Sequence, residues 1–312
     1  MNPAFLRQLQ AILPADALFT SAAECLAYGY DNSRRVALPD CVTLVETEQQ
    51  VIEIIRLCNS HNIALTARGR GTGTTGATVP THGGVVMSLE RMNKIIRVDT
   101  DNRIMVVQPG VTNLEVQTAA AEHGFFWAPD PTSAAYCTVG GNLAYNSAGP
   151  RAVKYGSCRE NTLGLRAVTG AGDILKCGTY TTKGVVGYDL TRLIIGSEGT
   201  LAIITEATLK LLPKPETKRT FMASYNSMDA AARAVSSIMA QAVTPCALEF
   251  MDEKAINMVR EYSTVHSNAQ LPQQAIALLM IEVDGSHAHT CCTINILYVA
   301  INVCVATIYF NH

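Results

Sequence analysis

Residues 67–80 read ARGRGTGTTGATVP, and the fold turns on what these glycines serve. Gly71, Gly73 and Gly76 spell G-x-G-x-x-G, and Glu90 follows at nearly the distance of a ribose-binding acid. That fingerprint needs a strand before it and a helix opening at its third glycine, because the helix N-terminus holds the pyrophosphate. The strand is predicted, at Ile63 to Thr66. The helix is not, since Ala77 to Gly84 contains Pro80 and the pair Gly83-Gly84, and the next apolar strand begins at Val85. The spacing of Glu90 is then a coincidence. A Walker A loop fails as well, because no Gly-Lys-Ser/Thr follows. What remains is a run of glycine and threonine whose backbone N–H groups form a concave nest, with threonine hydroxyls as further donors. Arg68 and Arg70 bring positive charge to such a nest, although either also reads as a solvated surface residue. A plain surface turn is the competing reading of the loop, but it would rarely be this long and this rich in donors.

Working outward, Cys41 to Val45 reads as a strand, and Thr47-Glu48-Gln49-Gln50 as a T-x-x-Q capping box opening a helix. Val51, Ile54, Ile55 and Cys58 fall at helical spacing, so the segment up to Thr66 is a βαβ unit that delivers the chain to Arg68. Short strands follow at Val85 to Leu89, Ile95 to Val98 and Ile104 to Val107. Thr112-x-x-Glu115 predicts a second capped helix stopping at Gly124. Phe125 to Gly164 reads as loop-rich, a hairpin surrounds Gly170 to Asp173, and Leu201 to Leu212 reads as a strand ending at Pro213 and Pro215. That proline pair is the predicted domain boundary. Beyond it, strands at Phe221 to Tyr225, Ala247 to Phe250 and Ala275 to Val283 alternate with helices at Met228 to Ala240 and Lys254 to Tyr262, which begins a second α+β unit.

Composition narrows the classes. Net charge is −2 with 16% charged residues, and no basic tract is present, so nucleic acid is excluded as an expected partner. Ten cysteines are scattered without a C-x-x-C pair, which argues for free thiols in a reducing cytoplasm. The N-terminus reads as an amphipathic helix ending at Pro14, without the long apolar run of a secretory signal. The tail differs from everything before it: residues 286–312 hold no Lys, Arg, Asp or Glu. Cys291 to Phe310 is about long enough to span a bilayer, so a membrane anchor is one expectation. A non-native continuation of an interrupted chain is the preferred one. His287-x-His289 is the only local histidine pair; on a strand both imidazoles would share a face, yet no carboxylate accompanies them, and no metal is expected.

Taken together, the glycine loop, VQPGV, PDPTSAAYCTVGGNLAYNSAGPRAVKYG, GYDLTRLIIGSEGTLAIITEATLKLLPKP and LEFMD resemble the FAD-binding PCMH-type (vanillyl-alcohol oxidase) flavoproteins over residues 15 to 285. Within that family they are most similar to the glycolate oxidase FAD-binding subunit and to D-lactate and other D-2-hydroxyacid dehydrogenases. The resemblance implies an α+β chain. A PCMH-type FAD-binding domain of two α/β subdomains would occupy residues 1–215, and an incomplete ferredoxin-like cap domain residues 216–285.

It also implies a cofactor site, residue by residue. Arg68, Gly69, Arg70, Gly71, Thr72, Gly73 and Thr74 match the pyrophosphate loop, and Gly110 a turn beside the cofactor. Asp130, Pro131, Thr132 and Ser133 match a segment that meets the flavin and its ribityl chain. Thr138, Gly140, Gly141 and Asn142 match a T-V-G-G turn permitting close backbone approach. Asn146, Ser147 and Gly149 match an N-x-G-G-like segment. Glu198, Gly199, Ile203 and Ile204 match E-G-T-L-G-I-I near the adenine, with Ala202 in place of its later glycine. Some relatives attach FAD through a histidine where this chain has Thr72, so FAD is expected to be non-covalent; His82 lies past the loop and reads as a surface or turn residue. The implied activity is oxidation of a small D-2-hydroxyacid, glycolate or D-lactate, and the implied partners are companion subunits of a glycolate oxidase complex, in the cytoplasm or at a membrane. The late H-x-x-G-D-G-N-x-H-type segment is absent, so no catalytic base is named. A non-catalytic FAD-binding remnant is the alternative, and another PCMH-type reductase a third reading.

Overall fold

The computed structural model describes residues 2–266, 272, 275–302 and 307–311. Contacts divide it into two compact units, one of residues 1–149 and 157–213, the other of residues 150–156 and 214–312.

The first unit contains two main sheets, each with its own core, and a short two-stranded pairing of Phe125–Phe126 with Leu212–Pro213. In the first sheet, Cys41–Leu44 and Leu65–Arg68 both run parallel to Val85–Ser88, which lies between them, and the short strand Leu18–Phe19 closes one edge. The two central strands are buried on both faces, in keeping with their mostly apolar sequence, which includes only Thr43 and Ser88 as polar residues. The helix Glu48–His61 opens on the expected box, with Thr47 accepting from the Gln50 N–H and the Gln50 side chain returning to the Thr47 backbone. Val51, Ile54, Ile55 and Cys58 form its buried stripe. The N-terminal helix Pro3–Ile12 adds Phe5 and Leu9 to the same core.

The second sheet is antiparallel and five-stranded, in the order Ile95–Asp99, Ile104–Val107, Ala202–Lys210, Thr162–Thr169, Ile174–Gly178. Its core takes Met105, Val107, Leu165, Ile204 and Leu209 from the strands, together with Trp127, Val139 and Leu143. The loop-rich segment between Phe125 and Gly164 also contains two short helices, Val139–Tyr145 and Ala152–Tyr155. Its glycines masked the first of them. Glu48 joins the two subdomains: it accepts from Arg166 Nε and Nη2 at 2.7 Å each and from the Thr205 hydroxyl at 2.7 Å.

In the second unit, the sheet order is Ala247–Asp252, Ala277–Gly285, Thr217–Tyr225, Thr307–Asn311, with every pair antiparallel. In chain order this is second, third, first, fourth, the strand order of a ferredoxin-like unit, with the helix Glu253–His266 added between its second and third strands. The helices Met228–Met239 and His287–Asn302 pack on one face of the sheet, through Ala231, Ala234, Ile238, Leu297, Ala300 and Ile301. The residues read as an atypical tail therefore supply the second helix and an edge strand of this unit. Because His287 and His289 lie on a helix, a two-residue step turns them about 200° apart, and they share no face. No described helix is long and apolar enough to cross a membrane; part of the expected Cys291–Phe310 span, residues 303–306, lies outside the described residues. Lys154 and the Tyr155 hydroxyl, from the short helix Ala152–Tyr155, both donate to the buried carboxylate of Asp284.

Candidate functional site

A cavity of about 250 Å³ opens in the first unit, where the glycine loop, the start of the helix Val139–Tyr145 and the segment 197–204 converge. Residues 69–84 contain no helix, as Pro80 and the glycine pair require. Among the described residues, no group accepts a hydrogen bond from the backbone N–H of any residue from Gly71 to Thr75. Those donors are left for whatever enters the cavity, and an anion meets such a run better than a neutral group.

The loop keeps this shape because other residues hold it by its carbonyls and side chains. Asn32 donates from its backbone to the Gly73 carbonyl and from its side chain to the Thr72 carbonyl. Asp31, buried, accepts from the Gly76 N–H at 3.0 Å and from the Thr78 hydroxyl at 3.4 Å. Gly71 sits at φ +66°, and an added Cβ would lie 2.3 Å from the Arg68 guanidinium packed against it. Arg68 itself is only 6% exposed, and it donates to the carbonyls of Tyr30 and Ala27 and to the Thr78 hydroxyl. Burial pulls its guanidinium below the ordinary arginine value, and the nearby Asp31 carboxylate opposes that. Arg68 thus braces the loop and lends it a positive field. Arg70, half exposed on the cavity wall, pairs with Glu90 at 3.3 Å. Glu90 also accepts from Tyr28, whose phenol is pushed far up by burial and by that hydrogen bond.

On the opposite wall, the helix Val139–Tyr145 starts where the QPGV turn ends. Val139 N–H donates to the Val111 carbonyl and Gly140 N–H to the Pro109 carbonyl, each at 2.8 Å, while Thr138 caps the Gly141 N–H. Its first donors are consumed by protein, so the glycine loop carries the unpaired ones. A Cβ at Gly140 would lie 2.5 Å from Pro109 Cβ, which explains a glycine in a helix. The Gly196 and Glu198 N–H groups bond to the Leu143 and Ala144 carbonyls, bringing Ser197 to Gly199 to the cavity.

Among the residues expected from the sequence, Arg68 to Thr74, Pro131, Ser133, Thr138, Gly140, Gly141, Asn142, Ser147, Glu198, Gly199, Ile203 and Ile204 line this cavity. Gly110, Asp130, Thr132, Asn146 and Gly149 are not among the residues that line it. Asn146 uses its side-chain oxygen on the Ser157 hydroxyl and the Arg159 N–H instead. The sequence reading missed Asp31, Pro109, Tyr145 and Ser197, which also line it. Asp31 pairs across 45 positions and leaves no local signal, while Tyr145 is adjacent to a residue that was singled out.

This arrangement of backbone donors and two arginines fits a ligand that carries an anionic group such as a phosphate. Residues 39–178 match the FAD binding domain family, and residues 214–302 match the C-terminal domain of FAD linked oxidases. The chain belongs to the PCMH-type FAD-binding flavoproteins. FAD is therefore the cofactor to which the cavity must answer. This flavoprotein is 42% identical over 266 residues to glycolate oxidase subunit GlcD of Bacillus subtilis, covering 85% of the chain and 56% of that relative. It is 35% identical to the Escherichia coli K12 GlcD, with 90% of the chain and 55% of the relative covered. With a D-lactate dehydrogenase of Anaerostipes hadrus it shares 37%, over 70% of the chain and 46% of the relative. The flavoprotein thus spans about half the length of the curated relatives it matches. Among solved structures, alkyldihydroxyacetonephosphate synthase superposes with a TM-score of 0.82 at 23% identity, over 99% of this chain and 60% of that one. p-Cresol methylhydroxylase gives 0.78 at 18%, over 98% and 65%. Both establish the fold.

Proposed function

We propose that the chain holds FAD without a covalent bond in this cavity and forms the flavin-binding part of an oxidoreductase of small D-2-hydroxyacids, glycolate or D-lactate. The observation that carries the flavin assignment is the run of unpaired N–H groups from Gly71 to Thr75 on the cavity wall, backed by the buried cation of Arg68. When bound, FAD supplies the acceptor for a hydride from the substrate carbon. The chain's own residues bind and orient. The nest takes the diphosphate, Arg70 exchanges part of its pairing with Glu90 for that anion, and Ile203 and Ile204 offer apolar surface. Thr72 stands in the loop with a hydroxyl in place of a histidine, which supports retention of FAD by non-covalent contacts alone. The choice of substrate rests on the GlcD and D-lactate dehydrogenase relatives. Companion subunits follow from the name of GlcD as a subunit, and a cytoplasmic site from the scattered free cysteines.

A second reading has its own support. The ionisable side chains lining the cavity are Asp31, Arg68, Arg70, Tyr145 and Glu198, with neither histidine nor lysine among them. Arg68 and Asp31 are occupied in bracing the loop, so the lining offers few candidates to take a hydroxyl proton. A flavin-binding chain without turnover would look like this.

The full chain, purified and passed through gel filtration, should carry flavin absorbance, and denaturation should release all of it as free FAD. A colourless folded protein that takes up no added FAD refutes the flavin assignment, and flavin that stays with the denatured chain refutes the non-covalent one. Anaerobic addition of glycolate or D-lactate then separates the two readings, since bleaching requires turnover.

A further inference from the structure

Tyr145 lies at the C-terminal end of the helix Val139–Tyr145, where the chain turns out through Asn146 at φ +53°. The turn directs the phenol toward the glycine loop. Its ring lies against Gly73, where an added Cβ would be 3.5 Å from the Tyr145 ring, and its hydroxyl is 3.0 Å from Thr74 Oγ1. The contact spans 71 positions. One partner follows the strand Leu65–Arg68 of the first sheet, and the other follows Val139 and Leu143 in the second core. The two walls of the cavity are thereby joined at its rim.

We propose that Tyr145 is a positioning residue for the diphosphate of the cofactor: it latches the glycine loop and turns the Thr74 hydroxyl toward the bound anion. The proposal rests on the reading of the cavity as an FAD site. The holds on residues 72 to 74 leave the backbone donors untouched. Asn32 takes the Thr72 and Gly73 carbonyls, and Tyr145 takes a side-chain hydroxyl. When the phenol donates to Thr74 Oγ1, the threonine O–H is left to donate onward, and a hydroxyl that accepts one hydrogen bond donates the next more strongly. Without a covalent tether to the flavin, retention depends on contacts of this kind. A latch of that sort acts chiefly on release.

Tyr145→Phe keeps the ring against Gly73 and removes only the hydroxyl, at a side chain 38% exposed, so the fold is spared. Thr74→Val removes the other partner on an exposed loop. Apoprotein of each variant, of the double variant and of the unaltered chain is titrated with FAD by flavin fluorescence, the FAD release rate is recorded, and melting of the apoproteins is compared. Each single change should weaken FAD binding by roughly 2- to 12-fold, the worth of one hydrogen bond, mostly through faster release. The double variant should bind no more weakly than Thr74→Val alone, because the tyrosine acts through the threonine. Apoprotein melting should not move. Wild-type affinity in Tyr145→Phe, full additivity in the double variant, or losses matched by a drop in apoprotein melting each overturn the latch. An unaltered chain that binds no FAD overturns the parent reading instead.

Discussion

Gly140→Ala sets two physical effects of opposite sign against each other. Replacing glycine by alanine in a helix stabilises it by up to about 1 kcal/mol, and less in the first turn, where Gly140 sits. Against this, the new Cβ would lie 2.5 Å from Pro109 Cβ and 3.1 Å from the Pro109 carbonyl oxygen. Ordinary contact begins near 3.4 Å, so the helix start and the turn must separate by several tenths of an ångström at least. They are tied by the Gly140 and Val139 N–H groups, each 2.8 Å from a carbonyl of the turn, so separation stretches two hydrogen bonds as well. Overpacking a buried site costs about 1–3 kcal/mol, which outweighs the propensity gain and leaves a net loss of about 1–2 kcal/mol. For a unit of this size that lowers the melting temperature by about 2–8 °C. FAD binding should weaken with it, because Pro109, Gly140 and Gly141 all line the cavity. Gly170→Ala is the control: nothing lies within 4 Å of its added Cβ, and its melting should stay unchanged. Calorimetry of the two apoproteins decides the sign. If Gly140→Ala melts at or above the unaltered protein, the close approach to Pro109 is not what keeps glycine there.

Two further outcomes follow. Burial would raise the Glu48 carboxyl, but the hydrogen bonds from Arg166 and Thr205 and the Arg166 charge outweigh it and hold it below 4.5. Its contribution to stability is therefore complete above about pH 4.5 and is lost as the pH falls through the lowered folded value. Glu48→Gln should cost about 1 kcal/mol at pH 7, discounted for the partial exposure of Arg166, and progressively less as the pH is lowered through that folded value; a cost that does not fall with pH, by denaturant titration, refutes the ion pair as its source. Burial also pushes the Cys41 and Cys58 thiols up to about 12, while Cys291 and Cys292 are exposed. Iodoacetamide at pH 8 should modify the latter two in the native chain and leave Cys41 and Cys58 unmodified until denaturant is added, as peptide mass mapping would report.

What was legible in the sequence is what is settled locally. Thr47 with Gln50 and Thr112 with Glu115 carry their helix starts within four residues, and both capping boxes form. The missing crossover helix after Gly76 was legible for the same reason, since Pro80 and Gly83-Gly84 act where they stand. The helix Val139–Tyr145 was not, because two glycines in its first turn argue against a helix by propensity; it forms because Thr138 caps it and the QPGV turn takes its N–H groups. Arg68 was legible as a charge in the loop but not as a buried brace, because its acceptors at Ala27 and Tyr30 lie about forty positions away. The apolar tail was read by composition alone. Its helix buries Leu297, Ala300 and Ile301 against a sheet whose strands begin far upstream.

The same long-range logic separates glycines that a sequence motif treats alike. Gly71 and Gly140 face one cavity from opposite walls, and both would crowd a neighbour if given a side chain. At Gly71 the neighbour is the end of a side chain, Arg68, but φ is +66°, so the backbone itself strains any replacement. At Gly140 the backbone is helical and suits alanine, and only the proline of a distant turn forbids it. Moving Pro109 therefore relieves one restriction and not the other. In a Pro109→Gly background Gly140→Ala should recover most of its loss, while Gly71→Ala should remain as damaging as before. The first wall is fixed by local conformation and the second by packing between distant segments, so cofactor binding reports on both the loop and the register of the second subdomain.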